Sequence, residues 1–254
     1  MEIETLIEQY PKVLYKYIEK KYAEDMLEKG QIKIGTLYEY RHSEHEERKD
    51  EKEGIKSAYT AVKNPIRALK NNDLPGTYRN SLQIEKGGTV ELLSGSMDRI
   101  EVFVDVYVYC MSEIYDEKIM SNFGCNACVK IEDPAIFIQN LTNCMKDFTT
   151  RDAFGGQCVY IDRRQEFASR NDIPPYLIKD SSYQHQREFR VIWFPDNDRQ
   201  NKPISTFTLL NTGQSGDVNK HTFWHPYLQP DKDSISTQII ECKPAVDFCS
   251  LIKD

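Results

Sequence analysis

Ile100-Glu101-Val102-Phe103-Val104-Asp105-Val106-Tyr107-Val108-Tyr109-Cys110 is the stretch that decides the fold class. Successive side chains of an extended chain point to opposite faces. Ile100, Val102, Val104, Val106 and Val108 therefore share one face, and Phe103, Asp105, Tyr107 and Tyr109 the other. The spacing predicts one continuous strand. Upstream, Tyr22, Met26 and Leu27 recur at helical spacing within Glu19–Lys29, and Gly30 stands where a helix C-terminal cap belongs. Gln31–Gly35 alternates as a short strand. Ala61–Asn80 is polar and holds Pro65, Pro75 and Gly76, which predicts a long surface excursion.

Downstream, Asp133 is a good N-cap and Pro134 suits the first helical position. Ile136, Phe137, Leu141 and Met145 form an apolar stripe behind them. Gln157–Asp162, Glu188–Phe194, Thr206–Leu210 and Thr237–Lys243 read as strands, and Pro244–Ile252 as a short closing helix. Strands outnumber helices and strict βαβ alternation is missing. The expectation is an α+β fold of mixed or antiparallel sheets with flanking helices, as one domain over residues 1–254.

Composition removes several function classes. With 254 residues, 39% hydrophobic and 29% charged, the chain can build a core, which excludes wholesale disorder. A net charge of −7 excludes a global basic footprint for coating nucleic acid or anionic lipid, though not a local basic groove. No apolar run approaches the ~20 residues of a membrane span. The acidic opening Met1-Glu2-Ile3-Glu4-Thr5 lacks the pattern of a signal peptide. Seven cysteines, an odd number thinly spread, fit reduced thiols better than a disulfide framework. These features predict a soluble cytoplasmic protein without a membrane partner.

The most informative segment for chemistry is Tyr183-Gln184-His185-Gln186-Arg187-Glu188-Phe189-Arg190-Val191-Ile192-Trp193. As a strand it sets Gln186, Glu188 and Arg190 on one face and Phe189, Val191 and Trp193 on the other. Three polar groups on one rigid element suit a site. The alternative is a Glu188–Arg190 pair on a solvated sheet face.

Tyr183, Gln186 and Glu188 are spaced as aromatic, two residues, Gln, one residue, Glu. This resembles the turn-and-strand motif of mono-ADP-ribosyltransferases. The opening is similar to that of DNA- and RNA-directed ADP-ribosyltransferase toxins and of a broad group of bacterial proteins. It consists of Val13-Leu14-Tyr15-Lys16-Tyr17, a helix, Gly30 and Ile32-Lys33-Ile34-Gly35-Thr36-Leu37-Tyr38. Asp50 with Glu53-Gly54, Tyr109-Cys110-Met111-Ser112-Glu113 and Glu188-Phe189-Arg190 resemble that bacterial group in the same chain order. The resemblance implies an ADP-ribosyltransferase-like fold and NAD as the substrate that donates ADP-ribose. It implies that Glu188 is the catalytic carboxylate and Gln186 the acceptor-orienting group. Lys16, Tyr17 and Ser112 would line the NAD site, and Tyr183, Arg48 and Arg190 would contact substrate. No metal is required. The implied acceptor is a macromolecule, nucleic acid or protein. The implied setting is a toxin or an anti-phage defence effector, with a possible antitoxin or immunity protein as partner.

Two departures keep a second class open. The first-strand His or Arg of the family is Lys16 here, and its Ser-Thr-Ser middle motif is reduced to Ser112. A non-catalytic binding module of the same fold would tolerate both. A third class comes from the run Arg41–Lys56, which holds His42, Glu44, His45, Glu46, Glu47, Arg48, Asp50 and Glu53. It reads as a solvated charged segment, as a segment whose Arg41 or Arg48 meets a phosphate, or as a nuclease centre in which Glu46, Asp50 and Glu53 hold a divalent ion. Cys125-Asn126-Ala127-Cys128 has no second matching pair and reads as structural thiols rather than zinc ligands. His221 and His225 are separated from a helical metal pattern by Pro226, and the paired glycines lack the other residues of a phosphate loop.

Overall fold

The computed structural model describes residues 10–41, 50, 53–62, 66–73, 89–92, 95–149, 153–162, 164–166, 173–196, 204–212, 218–223 and 237–252. In chain order these form β1 (Leu14–Ile18), α1 (Lys20–Glu24), β2 (Gln31–Thr36), α2 (Leu37–Arg41), β3 (Ile55–Val62), β4 (Ile66–Ala68), β5 (Val90–Leu92), β6 (Gly95–Val102) and β7 (Tyr107–Ser112). Then come α3 (Glu117–Asn122), β8 (Ala127–Ile131), α4 (Pro134–Cys144), β9 (Phe154–Gln157), β10 (Val159–Ile161), β11 (Arg164–Glu166), β12 (Ile178–Asp180) and β13 (Glu188–Trp193). The last strands are β14 (Ile204–Thr212), β15 (Val218–Phe223), β16 (Gln238–Glu241) and β17 (Cys249–Leu251).

The architecture is α+β, as the strand-rich sequence predicts. An eight-stranded sheet runs β16-β2-β7-β1-β8-β17, with β13 and β9 joined on the other side of β7. All its pairings are antiparallel. Strand β7 is its pivot. Gly35 and Thr36 of β2 pair with its first residues and Tyr15 of β1 with its last, while β13 follows it from Trp193↔Tyr107 to Glu188↔Ser112. A five-stranded sheet runs β11-β3-β6-β14-β15, and β10-β12 and β4-β5 form small pairs. Two parallel pairings, β3–β11 and β10–β12, make the whole mixed.

The stretch Ile100–Cys110 is two strands rather than one. It ends β6 in the five-stranded sheet and begins β7 in the eight-stranded sheet. The break is chemical. Asp105 is buried, and its carboxylate accepts from the backbone N–H groups of Tyr38 and Val106 at 2.9 and 3.1 Å. Phe103 N–H donates to the Gly54 carbonyl at 2.9 Å. The alternation in the sequence runs through the break, so periodicity alone reads it as continuous, but Phe103 packs with Val104, Val106 and Val108 rather than with Tyr107 and Tyr109.

Glu19–Lys29 is helical as expected, with its second half, Asp25–Lys29, wound as a π turn. Ala23, Met26 and Leu27 are buried by it, whereas Tyr22 is exposed. Gly30 ends it at φ 70°, and a Cβ there would stand 2.0 Å from the Cys242 carbonyl oxygen. Helix α4 starts as the sequence predicts. An Asp133 carboxylate oxygen accepts from Ile136 N–H at 3.1 Å, and Pro134 takes the first turn. Phe137, Leu141 and Met145 are buried with Ile138, while Ile136 faces solvent. Asp133→Ala removes the cap and is expected to lower stability by about 1 kcal/mol, read as a shifted denaturant midpoint with unchanged slope.

Two further expectations are corrected, and a third stretch is partly regular. Gln157–Asp162 is divided at Cys158 into the end of β9, which joins β13, and β10, which pairs with β12. The closing helix is a single 3-10 turn, Ala245–Asp247, followed by β17 against β8. The stretch 61–80 is partly regular, since it includes the end of β3, β4 and a 3-10 turn at Asn71–Asp73, and its remaining residues lie outside the described ones.

The eight-stranded sheet buries both faces around β7 and β13. Tyr107, Tyr109, Met111, Phe189, Val191 and Trp193 pack with Leu14, Phe137 and Leu141 on one face. Val106, Val108 and Ile192 pack with Leu37, Tyr38, Tyr176 and Leu177 on the other. Among the described residues no helix is long and apolar enough to cross a membrane.

Candidate functional site

The second of these faces carries the polar end of β13. Register pairs Glu188 with Ser112 and Arg190 with Cys110, so these four share a face, and Ile192 with Val108 continues it. Ahead of β13, Ser181–Gln186 is a 3-10 helix, capped by Asp180 and ended by Arg187 at φ 44°. A positive φ is uncommon for a residue other than glycine. Here it turns the chain sharply enough that Gln186, which lies in the turn rather than in the strand, still reaches the same place as Glu188.

That place is the ammonium of Lys179, from the short strand β12. It donates to Gln186 Oε1 at 2.7 Å and to Glu188 Oε2, and it lies 5.2 Å from the Tyr183 ring centroid. The other oxygen of Glu188 accepts from Arg190 Nε at 2.6 Å. Arg190 Nη1 and Nη2 then donate to the two oxygens of Glu53 at 2.7 and 2.9 Å, and Nη1 also to the Tyr176 carbonyl at 2.7 Å. Two carboxylates and two cations thus alternate in a buried chain, Glu53–Arg190–Glu188–Lys179. Exposures are 1%, 1%, 6% and 5% in that order, and Gln186 is at 2%. The backbone is fixed as well, because Glu188 N–H donates to Tyr160 Oη at 2.6 Å and the Glu188 carbonyl accepts from Cys158 N–H at 2.9 Å.

Burial pushes the Glu188 carboxyl up, and Arg190 and Lys179 more than offset it, so the group stays well below the usual carboxylate range. Burial pulls the Lys179 ammonium down, and the charge of Glu188 outweighs this and leaves it raised. Burial and the nearby Glu188 push the Cys110 thiol up to about 12. Glu188 is therefore a carboxylate, Lys179 an ammonium and Cys110 a thiol throughout the physiological range.

This geometry replaces the solvated-face reading of Glu188 and Arg190, and also the solvated reading of the charge run where that run is described. Glu53, Asp50 and Arg41 are buried. Arg41 Nε donates to the Glu53 carbonyl at 2.6 Å, its guanidinium lies 3.8 Å from the Tyr38 ring centroid, and its Nη2 is buried without a hydrogen-bond partner among the described residues. Arg48 lies outside the described residues, as do His42, Glu44, His45, Glu46 and Glu47.

Ser112 and Tyr17 lie toward the Glu188 side of the sheet, with their hydroxyls engaged in the backbone. Ser112 Oγ donates to the Gln186 carbonyl at 2.9 Å, and Tyr17 Oη donates to the Ile114 carbonyl at 2.7 Å and accepts from Asp116 N–H at 2.7 Å. Lys16 does not join them. Register places it between Leu14 and Ile18, which face the Phe137 core, and its ammonium lies 4.4 Å from the Tyr109 ring centroid and donates to the Cys110 carbonyl at 2.8 Å. Lys16 is on the opposite face of the sheet from Glu188. The guanidinium of Arg190, expected to contact substrate, is held by Glu53, Glu188 and the Tyr176 carbonyl. A concavity of about 470 Å³, lined by Tyr10, Pro11, Glu113, Gly156, Gln157 and Phe189, opens on the Phe189 face and not at Glu188.

Sequence reasoning missed Lys179 as the group around which the motif closes. Its signal was modest: one lysine in the apolar run Tyr176-Leu177-Ile178-Lys179. Among the described residues no group of three or more His, Cys, Asp or Glu is placed to hold a metal. Cys125 and Cys128 are buried thiols not joined in a disulfide. No family model, no curated protein and no solved structure matches the chain.

Proposed function

We propose that the chain is a mono-ADP-ribosyltransferase that moves ADP-ribose from NAD to a macromolecular acceptor, nucleic acid or protein. The observation that carries this reading is the convergence of Tyr183, Gln186 and Glu188 on one cation. The chemistry asks for such a cluster. As the bond between ribose C1′ and the nicotinamide nitrogen breaks, positive charge develops on the ribose, and a fixed carboxylate stabilises it. The bonding pair leaves with nicotinamide, an acceptor lone pair forms the new bond to C1′, and the acceptor gives up a proton. Glu188 is the carboxylate in this scheme. Gln186, beside it, orients the acceptor, and Tyr183 flanks the acceptor. Arg190 is a positioning residue that holds Glu188 through its Nε.

The test is intact-mass measurement of protein, DNA and RNA acceptors after incubation with NAD, with nicotinamide release followed in parallel. A mass increment of one ADP-ribosyl group on one acceptor class is expected, and a chelator should leave it unchanged. Activity abolished by chelation and restored by magnesium or manganese would favour the nuclease class instead. One observation disfavours that class: both Glu53 oxygens are bound to Arg190.

A second reading, a binding module of the same architecture without turnover, is favoured by a specific observation. Both Glu188 oxygens are already bound to cations, and Lys16 lies on the other face. Saturable binding of an acceptor with no nicotinamide release would select it.

A further inference from the structure

The Lys179 ammonium is held by the three motif groups of the transferase reading, Glu188, which that reading sets against the ribosyl cation, and Gln186 and Tyr183, which it sets beside the acceptor. The Tyr183 ring, Gln186 Oε1 and Glu188 Oε2 all face it, and it is 5% exposed. Their chemistry is what an organic cation wants: a carboxylate, an amide oxygen and an aromatic face. With Lys179 in place, Oε2 of Glu188 is engaged and its charge is compensated. A ribosyl cation entering there would also meet an ammonium at close range, and like charges at such distances repel strongly where water is excluded.

We propose that Lys179 is a resident latch that occupies the position of the ribosyl cation, and that its side chain withdraws from Glu188 when the dinucleotide binds. This rests on the transferase reading of the site. Arg190 is suited to remain while Lys179 leaves. It is held by Glu53 and the Tyr176 carbonyl as well as by Glu188, whereas the contacts of the Lys179 ammonium described above are the three motif residues themselves. The chain therefore has one fixed cation that orients the carboxylate and one removable cation that covers it.

Two measurements test the latch. The first is amine footprinting of the wild-type protein with an acylating ester, read by peptide mass, with and without a saturating non-hydrolysable NAD analogue whose binding is followed by calorimetry. Lys179 should be protected alone and become modified at least several-fold faster with the analogue. The exposed Lys29 and Lys33 should react equally in both states. The second is Lys179→Met, which should raise kcat/KM for NAD consumption about tenfold or more. Footprinting needs no variant, so it decides the question even if Lys179→Met fails to fold. An analogue that binds while Lys179 stays protected overturns the latch and leaves the transferase reading standing. So does a folded Lys179→Met enzyme with unchanged or lower turnover. Absence of both analogue binding and NAD turnover in wild type and variant overturns the transferase reading, and the latch with it.

Discussion

Glu188→Gln is expected, on the proposed transferase reading, to cut NAD-dependent transfer by about 10²–10³-fold, or roughly 3–4 kcal/mol of transition-state stabilisation. The substitution keeps the size of the side chain and most of its hydrogen bonding and removes the charge. NAD affinity should change far less, because the ribose carries its positive charge mainly in the transition state. The loss should appear in kcat rather than in KM. Stability must be measured beside activity, since the variant leaves Lys179 facing Gln186 and Tyr183 without a carboxylate. The pH dependence gives an internal check. Arg190 and Lys179 outweigh burial and hold the Glu188 carboxyl below its ordinary value, so its charge stabilises the folded state at all pH values above the unfolded carboxyl's, about 4.3. That contribution declines only as pH falls below this value toward the lower folded one. The stability gap between parent and Glu188→Gln should therefore be flat from neutral pH down to about 4.3 and narrow below it. A well-folded variant that transfers ADP-ribose at the parent rate would remove Glu188 from the chemistry and select the binding-module reading.

How much of this was legible in the sequence follows the range of the interactions. Local chemistry read out correctly. The Asp133-Pro134 start of α4 and the left-handed Gly30 are each decided within a few residues of chain. The Val-rich stretch misled because its break depends on Asp105 meeting the Tyr38 backbone, 67 residues away in sequence. The closing segment became a strand because β8 offered it an edge, which local propensity does not reveal. The site divides in the same way. Tyr183, Gln186 and Glu188 are close in sequence, so their spacing announced them. Glu53 lies 137 residues from Arg190, and a charged run gives no sign of which of its members is buried. Lys16 shows the limit of a motif without register. Its residue type suits a phosphate, but pairing with Val129 beside the Leu14 and Ile131 core sends it to the other face.

The buried guanidinium supplies the largest expected stability effect. Arg190→Met preserves much of the side-chain volume and leaves Glu53 and Glu188, both almost fully buried, without the cation between them. Removing one partner of a buried ion pair typically costs about 3–5 kcal/mol, because the remaining charge is desolvated and uncompensated. Here two carboxylates and the Tyr176 carbonyl lose their donor, so the upper part of that range is expected. For a chain of this size about 4–5 kcal/mol corresponds to a fall of roughly 8–20 °C in the unfolding midpoint. Arg190→Lys should recover only part of the loss, since one ammonium cannot reproduce a fork bonded to both Glu53 oxygens while also reaching Glu188. A surface control makes the contrast. The Lys33–Glu39 pair joins side chains 62% and 39% exposed, and Lys33→Met should change stability by no more than about 1 kcal/mol. In a double-mutant cycle, Glu53→Gln with Arg190→Met should be less destabilising than the sum of the two single substitutions, because the double variant no longer buries an unpaired Glu53 carboxylate. Strict additivity would show that Glu53 and Arg190 are not coupled, and β13 would then not be anchored through Glu53. Coupling, in contrast, gives the segment around Glu53 a definite role in the site. Glu53 fixes Arg190, Arg190 fixes Glu188, and the carboxylate keeps its orientation when Lys179 is removed.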